Sequence, residues 1–504
     1  MLRRDLMKLP ALAAIPAAPA RRTGLCVNED NSHWFFTRAG EPVTKESVAS
    51  FVDQYQGISE LMLCPNSQRI NVESKVFDPV WKGYDPNGPD DQPLFRSTPP
   101  ASRKIPRDWV HRAWALNQAG LDPYKIWIER ARQLQVSPWI SMRMNDLHEV
   151  QDPDRYLHGS FWRAHPEYRR MGWRTTDWRD SAFDYSHPEV REYHFKLVEE
   201  YCERYDFDGL ELDWMRFGFH FRPGHELEGG ELLTGFMRRT RRLLDQWQRK
   251  RGHAIQLGAR VPSRPQTAIQ MGMDGARWAR EGLIQMLVVT PFWASIETDI
   301  PIELWRRLAG DKVTLAAGLE VLLRPYHAYR PLQYNSREAV RGAAAAMLAK
   351  GADRVYLFNY MDRAPEVMSQ ADYVGMMKEC GSLERLAGQK RRFIVSYADT
   401  WAPGEAEGAQ LPKTLAAGEW AAFRLPIGPK MKPAQLRMEL DGCELDEVRL
   451  NGEPCRPTGH LEGVKPGPPR GLETWEAPGE PAGVCVIHVR AKQPGRIHWV
   501  ELSA

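Results

Sequence analysis

The chain has 504 residues, with 68 Lys and Arg against 65 Asp and Glu, so its formal net charge is only +3. A composition of 26% charged and 42% hydrophobic residues excludes a disordered or fibrous chain, and the charge balance excludes an obligate nucleic-acid binder. The 18 Trp and 16 Tyr are the unusual feature, because flat aromatic faces suit a large core and equally suit stacking on sugar rings or bases.

Residues 1–20 read as an export signal. Arg3, Arg4 and Lys8 form a basic start, Leu9–Ala18 a short apolar stretch, and Ala18-Pro19-Ala20 a small-residue cleavage site. The Arg3-Arg4 pair resembles a twin-arginine signal, which predicts a periplasmic or secreted protein. No apolar run is long enough to span a bilayer, so no integral membrane segment is expected in the mature chain. The seven Cys lack CxxC spacing, which argues against a zinc knot or a dense disulfide framework. Among Cys443, Cys455 and Cys485 a bridge and free buried thiols are both open.

From residue 21 to about 388 short apolar strands alternate with amphipathic helices. Strands are expected at Leu25–Glu29, Glu60–Cys64, Ser137–Met144, Gly209–Trp214, Gln256–Val261, Gln285–Thr290, Thr314–Leu319 and Arg354–Asn359. Pro188–Tyr205 carries Val190, Tyr193, Leu197, Val198, Tyr201, Cys202 and Tyr205 at helical spacing, and Ser336–Lys350 ends at a capping Gly351. Eight such units predict an α/β fold of the (β/α)8 TIM-barrel class. An open doubly wound sheet is the alternative, but no GxGxxG or GxxxxGK[ST] follows any strand. After about Gln389 short strand-like segments separated by Pro/Gly-rich turns predict a C-terminal antiparallel β-sandwich over 389–504, with Asn451-Gly452 as a hairpin turn. Its expected role is packing on the barrel, with carbohydrate binding as the other reading.

In such a barrel, polar residues at the C-terminal strand ends are the candidates for chemistry. Alternation along Gly209–Trp214 turns Leu210, Leu212 and Trp214 outward and Glu211 and Asp213 inward. Arg143 and Arg260 are inward-facing cations that would balance the two carboxylates. Glu320, after the seventh strand, stands where a second carboxylate would face Asp213. An acid and a base flanking one bond is what glycosidic cleavage needs. Asp213, Glu320 and Glu211 are therefore the catalytic candidates. Asn28, His33, Trp34, Asn66, Arg143, Asn145, Asp146, Arg260, Trp293, Asn359 and Tyr360 are the substrate-binding candidates, with Trp34, Trp293 and Tyr360 as sugar-stacking walls.

Asp184–Trp214 resembles the helix-plus-fourth-strand signature of bacterial glycosyl-hydrolase-like barrels related to family 10, the DUF187 type. That resemblance implies a glycosidase barrel with Asp213 at the fourth-strand tip. Gly351–Tyr360 is similar to a glycosidase eighth strand. Asp208–Trp214 is also similar to the family 18 chitinase strand, but Met215 stands where that family has its catalytic Glu. Met cannot transfer a proton, so that mechanism does not carry over, and the Asn-Glu pair of family 10 xylanases is absent as well.

The expected function is an exported glycoside hydrolase that cleaves an oligo- or polysaccharide, with a glycan as partner, no nucleic acid and no cofactor. A non-catalytic carbohydrate-binding protein on a decayed barrel is the alternative. A metal-dependent hydrolase using Asp30, Asp146, His148 and Asp213 is the third reading, and it lacks HxH or HExxH spacing. No metal site is expected.

Overall fold

The computed structural model describes residues 23–171, 177–432 and 434–504. The export signal expected at residues 1–20 lies outside them. Eight parallel strands, β1 (Gly24–Glu29), β2 (Glu60–Leu63), β3 (Ser137–Arg143), β4 (Gly209–Asp213), β5 (Gln256–Pro262), β6 (Met286–Thr290), β7 (Thr314–Glu320) and β8 (Arg354–Phe358), pair in sequence order. Pairing of β1 with β8 closes the barrel. The fold is thus the expected TIM barrel, and each strand starts and ends within a residue of its expected position.

Two of those small differences have a local cause at the C-terminal mouth. β4 stops at Asp213 because the Asp213 side chain accepts the backbone N–H groups of Met215 and Arg216, at 3.0 and 2.9 Å, and so turns the chain. β8 stops at Phe358 because Asn359 takes a left-handed φ of 62°.

The alternating sequence pattern sorts the side chains into two layers. Leu210, Leu212 and Trp214 are buried outside the barrel, beneath the helices, with Leu61, Leu63, Ile140 and Leu257. A separate inner cluster contains Cys26, Met62, Trp139, Met286, Val288, Ala316, Tyr356 and Phe358. Trp139 fits inside because the neighbouring strands carry glycine. A β-carbon at Gly209 would lie 2.3 Å from its ring, and one at Gly258 3.0 Å. The helix Pro188–Arg204 starts on proline and buries Val190, Leu197, Val198, Tyr201 and Cys202 as the spacing predicts. The helix Arg337–Ala349 is capped by the Ser336 hydroxyl, which accepts from the Ala339 N–H.

The C-terminal strands form two antiparallel sheets, as expected. One orders Arg392–Ile394, Gly495–Ser503, Gln435–Asp441, Leu472–Glu476 and Arg456–Leu461, with Lys413–Leu415 beside Gly495–Ser503. The other orders Trp420–Gly428, Gly483–Gln493, Glu444–Leu450 and Glu453–Pro454. The predicted hairpin turn is present: Leu450 pairs with Glu453, and Asn451 and Gly452 both have positive φ. The sandwich packs on the barrel through the helix Arg337–Ala349, whose residues from Ala339 to Leu348 are all buried. A β-carbon at Gly342 would fall 2.0 Å from the Arg392 carbonyl oxygen, so helix and first sandwich strand touch backbone to backbone. All seven cysteines are free thiols, and no helix among the described residues is long and apolar enough to cross a membrane.

Candidate active site

Strand register sets the layer of the site that holds Asp213. Arg143 on β3, Asp213 on β4 and Arg260 on β5 are lateral neighbours, and Glu320 on β7 is level with Phe358 on β8. Asp213 is 2% exposed. Its two oxygens accept from Arg260 Nη1 at 2.9 and 3.0 Å, and one of them also accepts the two backbone N–H groups of the turn. The Arg260 guanidinium lies 3.6 Å from the centre of the Phe358 ring. Burial opposes its charge, but the surrounding acidic groups, Asp213 first among them, together outweigh it and raise its pKa.

The other two carboxyl groups have no cation within hydrogen-bonding distance among the described residues. Glu320 is 1% exposed and accepts from the Val321 N–H at 2.9 Å and from Asn359 Nδ2 at 3.2 and 3.3 Å. Burial pushes it up to about 8. Glu211, fully buried, accepts from the Ser141 hydroxyl at 2.6 Å and the Tyr356 hydroxyl at 2.8 Å. Burial, then the nearby Asp213 charge, raises its pKa as well. Its Oε2 has no hydrogen-bond partner among the described residues.

Above this layer lies a mixed-charge network. Arg143 bonds Asp30 at 2.5 Å and Asp146 at 2.9 Å, and Asp146 bonds His148 at 2.8 Å. Arg216 reaches His148 Nε2 at 3.1 Å and lies 3.7 Å from Asp30. Against the opposing effect of burial, Arg143 and then Arg216 hold Asp30 well below the usual carboxylate range. Two cavities of about 270 Å³ each open here. Asp30, Trp109, Arg143, His148, Arg216 and Asp362 line one. His148, Trp178, Arg216, Phe217, Phe292 and Trp293 line the other. Loss of water around its carboxyl, and then the Asp30 charge, raises Asp362 to about 6. Neither lining includes Asp213, Glu211 or Glu320. Arg216 stands between: it lines both cavities, and its guanidinium lies 5.2 Å from the same Phe358 ring that Arg260 covers.

The remaining expected site residues separate into four groups. Trp293 is 49% exposed and lines a cavity, as a stacking wall requires. Asn28 donates to Tyr356 at 2.8 Å and Ser141 at 3.2 Å, which places it in the buried Glu211 network. Asn359 bonds Glu320 directly. Asn145 is fully engaged in holding two loops, donating to the Phe183 and Phe219 carbonyls and accepting from the Phe183 N–H, all at 3.1 Å. Asn66 similarly ties Arg143's carbonyl to the Tyr201 hydroxyl.

Two aromatic residues are not brought to the mouth. Trp34 is 1% exposed, packed edge-on against Trp127 with Arg112 over its ring, because its short helix turns it into the outer layer. Tyr360 is buried and spends its hydroxyl on the Glu320 carbonyl at 3.0 Å. His33 bonds Glu29 at 3.3 Å, outside both cavity linings. Asp30, Asp146 and His148 do meet, but around two guanidinium groups and apart from the Arg260-bound Asp213. Among the described residues no group of three or more His, Cys, Asp or Glu is arranged to hold a metal ion.

Sequence reasoning missed Arg216, Tyr356, Phe217, Phe292 and Trp178. Two carried a readable signal: Arg216 lies three residues beyond Asp213, and Tyr356 alternates inward with Phe358. The aromatic loop residues had none.

No protein-family model and no curated protein matches the chain. Solved structures similar to it include glycoside hydrolases. An α-L-fucosidase of Paenibacillus thiaminolyticus is 14% identical, with a TM-score of 0.41 over 73% of this chain and 51% of that one. A cell-surface-expressed multi-modular chitinase of a Paenibacillus species is 10% identical, with a TM-score of 0.39 over 94% and 52%. A family 18 N-acetylglucosaminidase of Paenibacillus barengoltzii is 10% identical, with a TM-score of 0.37 over 71% and 99%. The chain spans about half the length of the first two.

Proposed function

We propose that the protein is an exported glycoside hydrolase, with Glu320 as general acid and Asp213 as the carboxylate acting at the anomeric carbon. The observation that carries this reading is the opposite environment of two carboxyl groups in one water-poor barrel. Asp213 is bonded to a guanidinium and two backbone N–H groups, whereas Glu320 has no bonded cation and is raised to about 8. A buried carboxyl group that keeps its proton, in the same barrel as a carboxylate paired with a guanidinium, is what an acid and its partner need at neutral pH.

In the proposed reaction Glu320 gives its proton to the leaving glycosidic oxygen as the bond to the anomeric carbon breaks. Water supplies the replacing oxygen, either directly with Asp213 as base or after a glycosyl ester on Asp213. A carboxyl separation of about 6.5–9.5 Å suits the first route and about 5–5.5 Å the second. On this reading Arg216, which lies beside the Phe358 ring and lines both cavities, has to move aside for substrate to reach the pair. Arg260 and Asn359 then orient the two carboxyl groups, and Trp293 offers an exposed face for a sugar ring.

A specific observation favours a second reading, a glycan-binding protein without turnover: all three carboxyl groups are at most 2% exposed, and none lines a mouth cavity. Turnover separates the two readings. Release of sugar from a glycan panel, lost in Asp213→Asn and in Glu320→Gln, supports the hydrolase. Capture of a glycan without release supports the binding protein.

A further inference from the structure

The chain leaving the barrel does more than connect it to the sandwich. Asp399, on the segment after the strand Arg392–Ile394, returns to the C-terminal mouth and meets the loop that follows β6. Its two carboxylate oxygens accept three consecutive backbone N–H groups: Phe292 at 2.7 Å, Trp293 at 2.7 Å and Ala294 at 2.6 Å. Successive N–H groups converging in this way make an anion-binding nest, and here the anion is a side chain from 105 residues away or more. The same segment is fastened on both sides. The Thr298 hydroxyl donates to the Ile394 carbonyl at 2.9 Å, and its N–H donates to the Ser396 hydroxyl at 3.0 Å. Glu405 accepts from the Thr267 hydroxyl at 3.0 and 2.8 Å, on the helix after β5.

The loop so gripped carries Phe292 and Trp293, two walls of the aromatic cavity. Phe292 also packs against Phe217 and Phe219 with ring centres 5.5 and 6.3 Å apart, so its position is fixed from within the barrel. Trp293 is half exposed, and among the described residues its ring packs against no other aromatic ring. Its place at the mouth therefore rests on its backbone, and at residues 292–294 that backbone is held by Asp399, with Ser295 and Ile296 anchored separately to the loop after β7.

We propose that Asp399 is a positioning residue that holds Trp293 as the stacking wall of the glycan cleft, so that the segment after the barrel sets substrate affinity without touching substrate. This rests on the glycan-directed reading above. A preformed wall avoids the cost of ordering a loop on binding, and a carboxylate outside the cavity provides it without obstructing the sugar.

The test uses the full-length protein and the variants Asp399→Ala, Asp399→Asn, Trp293→Ala and the double variant Asp399→Ala/Trp293→Ala. Amide hydrogen exchange at residues 292–294 should rise at least tenfold in Asp399→Ala and less in Asp399→Asn, which keeps one acceptor oxygen; unchanged exchange would overturn the clamp. On an array of immobilised neutral and acidic oligosaccharides, Asp399→Ala and Trp293→Ala should each weaken capture at least tenfold. The double variant should be no weaker than Trp293→Ala alone, because both changes remove one wall. Effects that multiply, or exchange that rises with capture unchanged, would overturn the positioning role. An array on which the wild-type protein captures nothing would instead remove the glycan reading, with the exchange result still deciding the clamp.

Discussion

Arg260 and Asp213 form a buried ion pair across neighbouring strands in which one guanidinium nitrogen serves both carboxylate oxygens, at 2.9 and 3.0 Å. The other two nitrogens of Arg260, Nε and Nη2, have no hydrogen-bond partner among the described residues. Buried donors without acceptors are costly, and a bound oxygen acceptor is one way to satisfy them. The pair therefore fixes Asp213 while keeping donor capacity free beside it.

Arg260→Met should destabilise the protein by about 3–5 kcal/mol, because it leaves the Asp213 carboxylate buried without its cation. Combining it with Asp213→Asn should recover much of that loss. Urea unfolding of the two variants at neutral pH checks this, and equal destabilisation in both would count against the pair as the dominant partner.

Glu320 gives a pH signature in stability and in rate. Its carboxyl is raised from an ordinary 4.5 to about 8, so the folded state keeps a proton that the unfolded chain releases. The stabilisation this provides is complete below about 4.5 and is lost as the pH climbs through 8. Glu320→Gln should remove that pH dependence from the unfolding free energy. If the wild-type protein hydrolyses glycosides as proposed, its kcat/KM should fall above about pH 8. Glycosides with good leaving groups should be the least impaired in Glu320→Gln, because they need no proton. A wild-type slope persisting in Glu320→Gln would argue against the assignment.

The two tryptophans expected at the mouth should behave oppositely. Trp34→Ala empties a packed site and should cost about 3–5 kcal/mol of stability. Trp293→Ala removes a half-exposed ring and should leave the unfolding midpoint nearly unchanged while weakening glycan capture. Thermal unfolding and array binding together distinguish them.

Asn145→Ala should cost about 1–3 kcal/mol, because it strands the Phe183 N–H and two buried carbonyl oxygens. Hydrogen exchange should rise near Phe183 and Phe219, the two loops it ties. Protection unchanged at both would show that other contacts hold them.

Much of the architecture was legible because it rests on local physics. Alternation of apolar residues along Gly209–Trp214 is enough to turn Glu211 and Asp213 into the barrel, and Asn451-Gly452 is enough to specify a hairpin. The inward Arg260 followed from the same alternation on the next strand, and register then made it Asp213's partner. The mouth was harder to read. A short helix such as His33–Thr37 has too little periodicity to show which way Trp34 faces, and the structure turns it into the outer core. Asp399 lies more than 100 residues from the loop it grips, and nothing local marks a carboxylate as the occupant of a distant backbone nest. Arg216 falls between these cases: adjacent to the motif, but its position over Phe358 depends on His148 from another loop.

The most direct test of the account is sugar release from a panel of oligo- and polysaccharides by the full-length wild-type protein, Asp213→Asn and Glu320→Gln, each shown to be folded by circular dichroism. The account predicts turnover of at least one glycan by the wild-type protein and a fall of at least about 10²-fold in both variants. A wild-type protein that binds a glycan but releases nothing, or an Asp213→Asn variant that works at the wild-type rate, would contradict it.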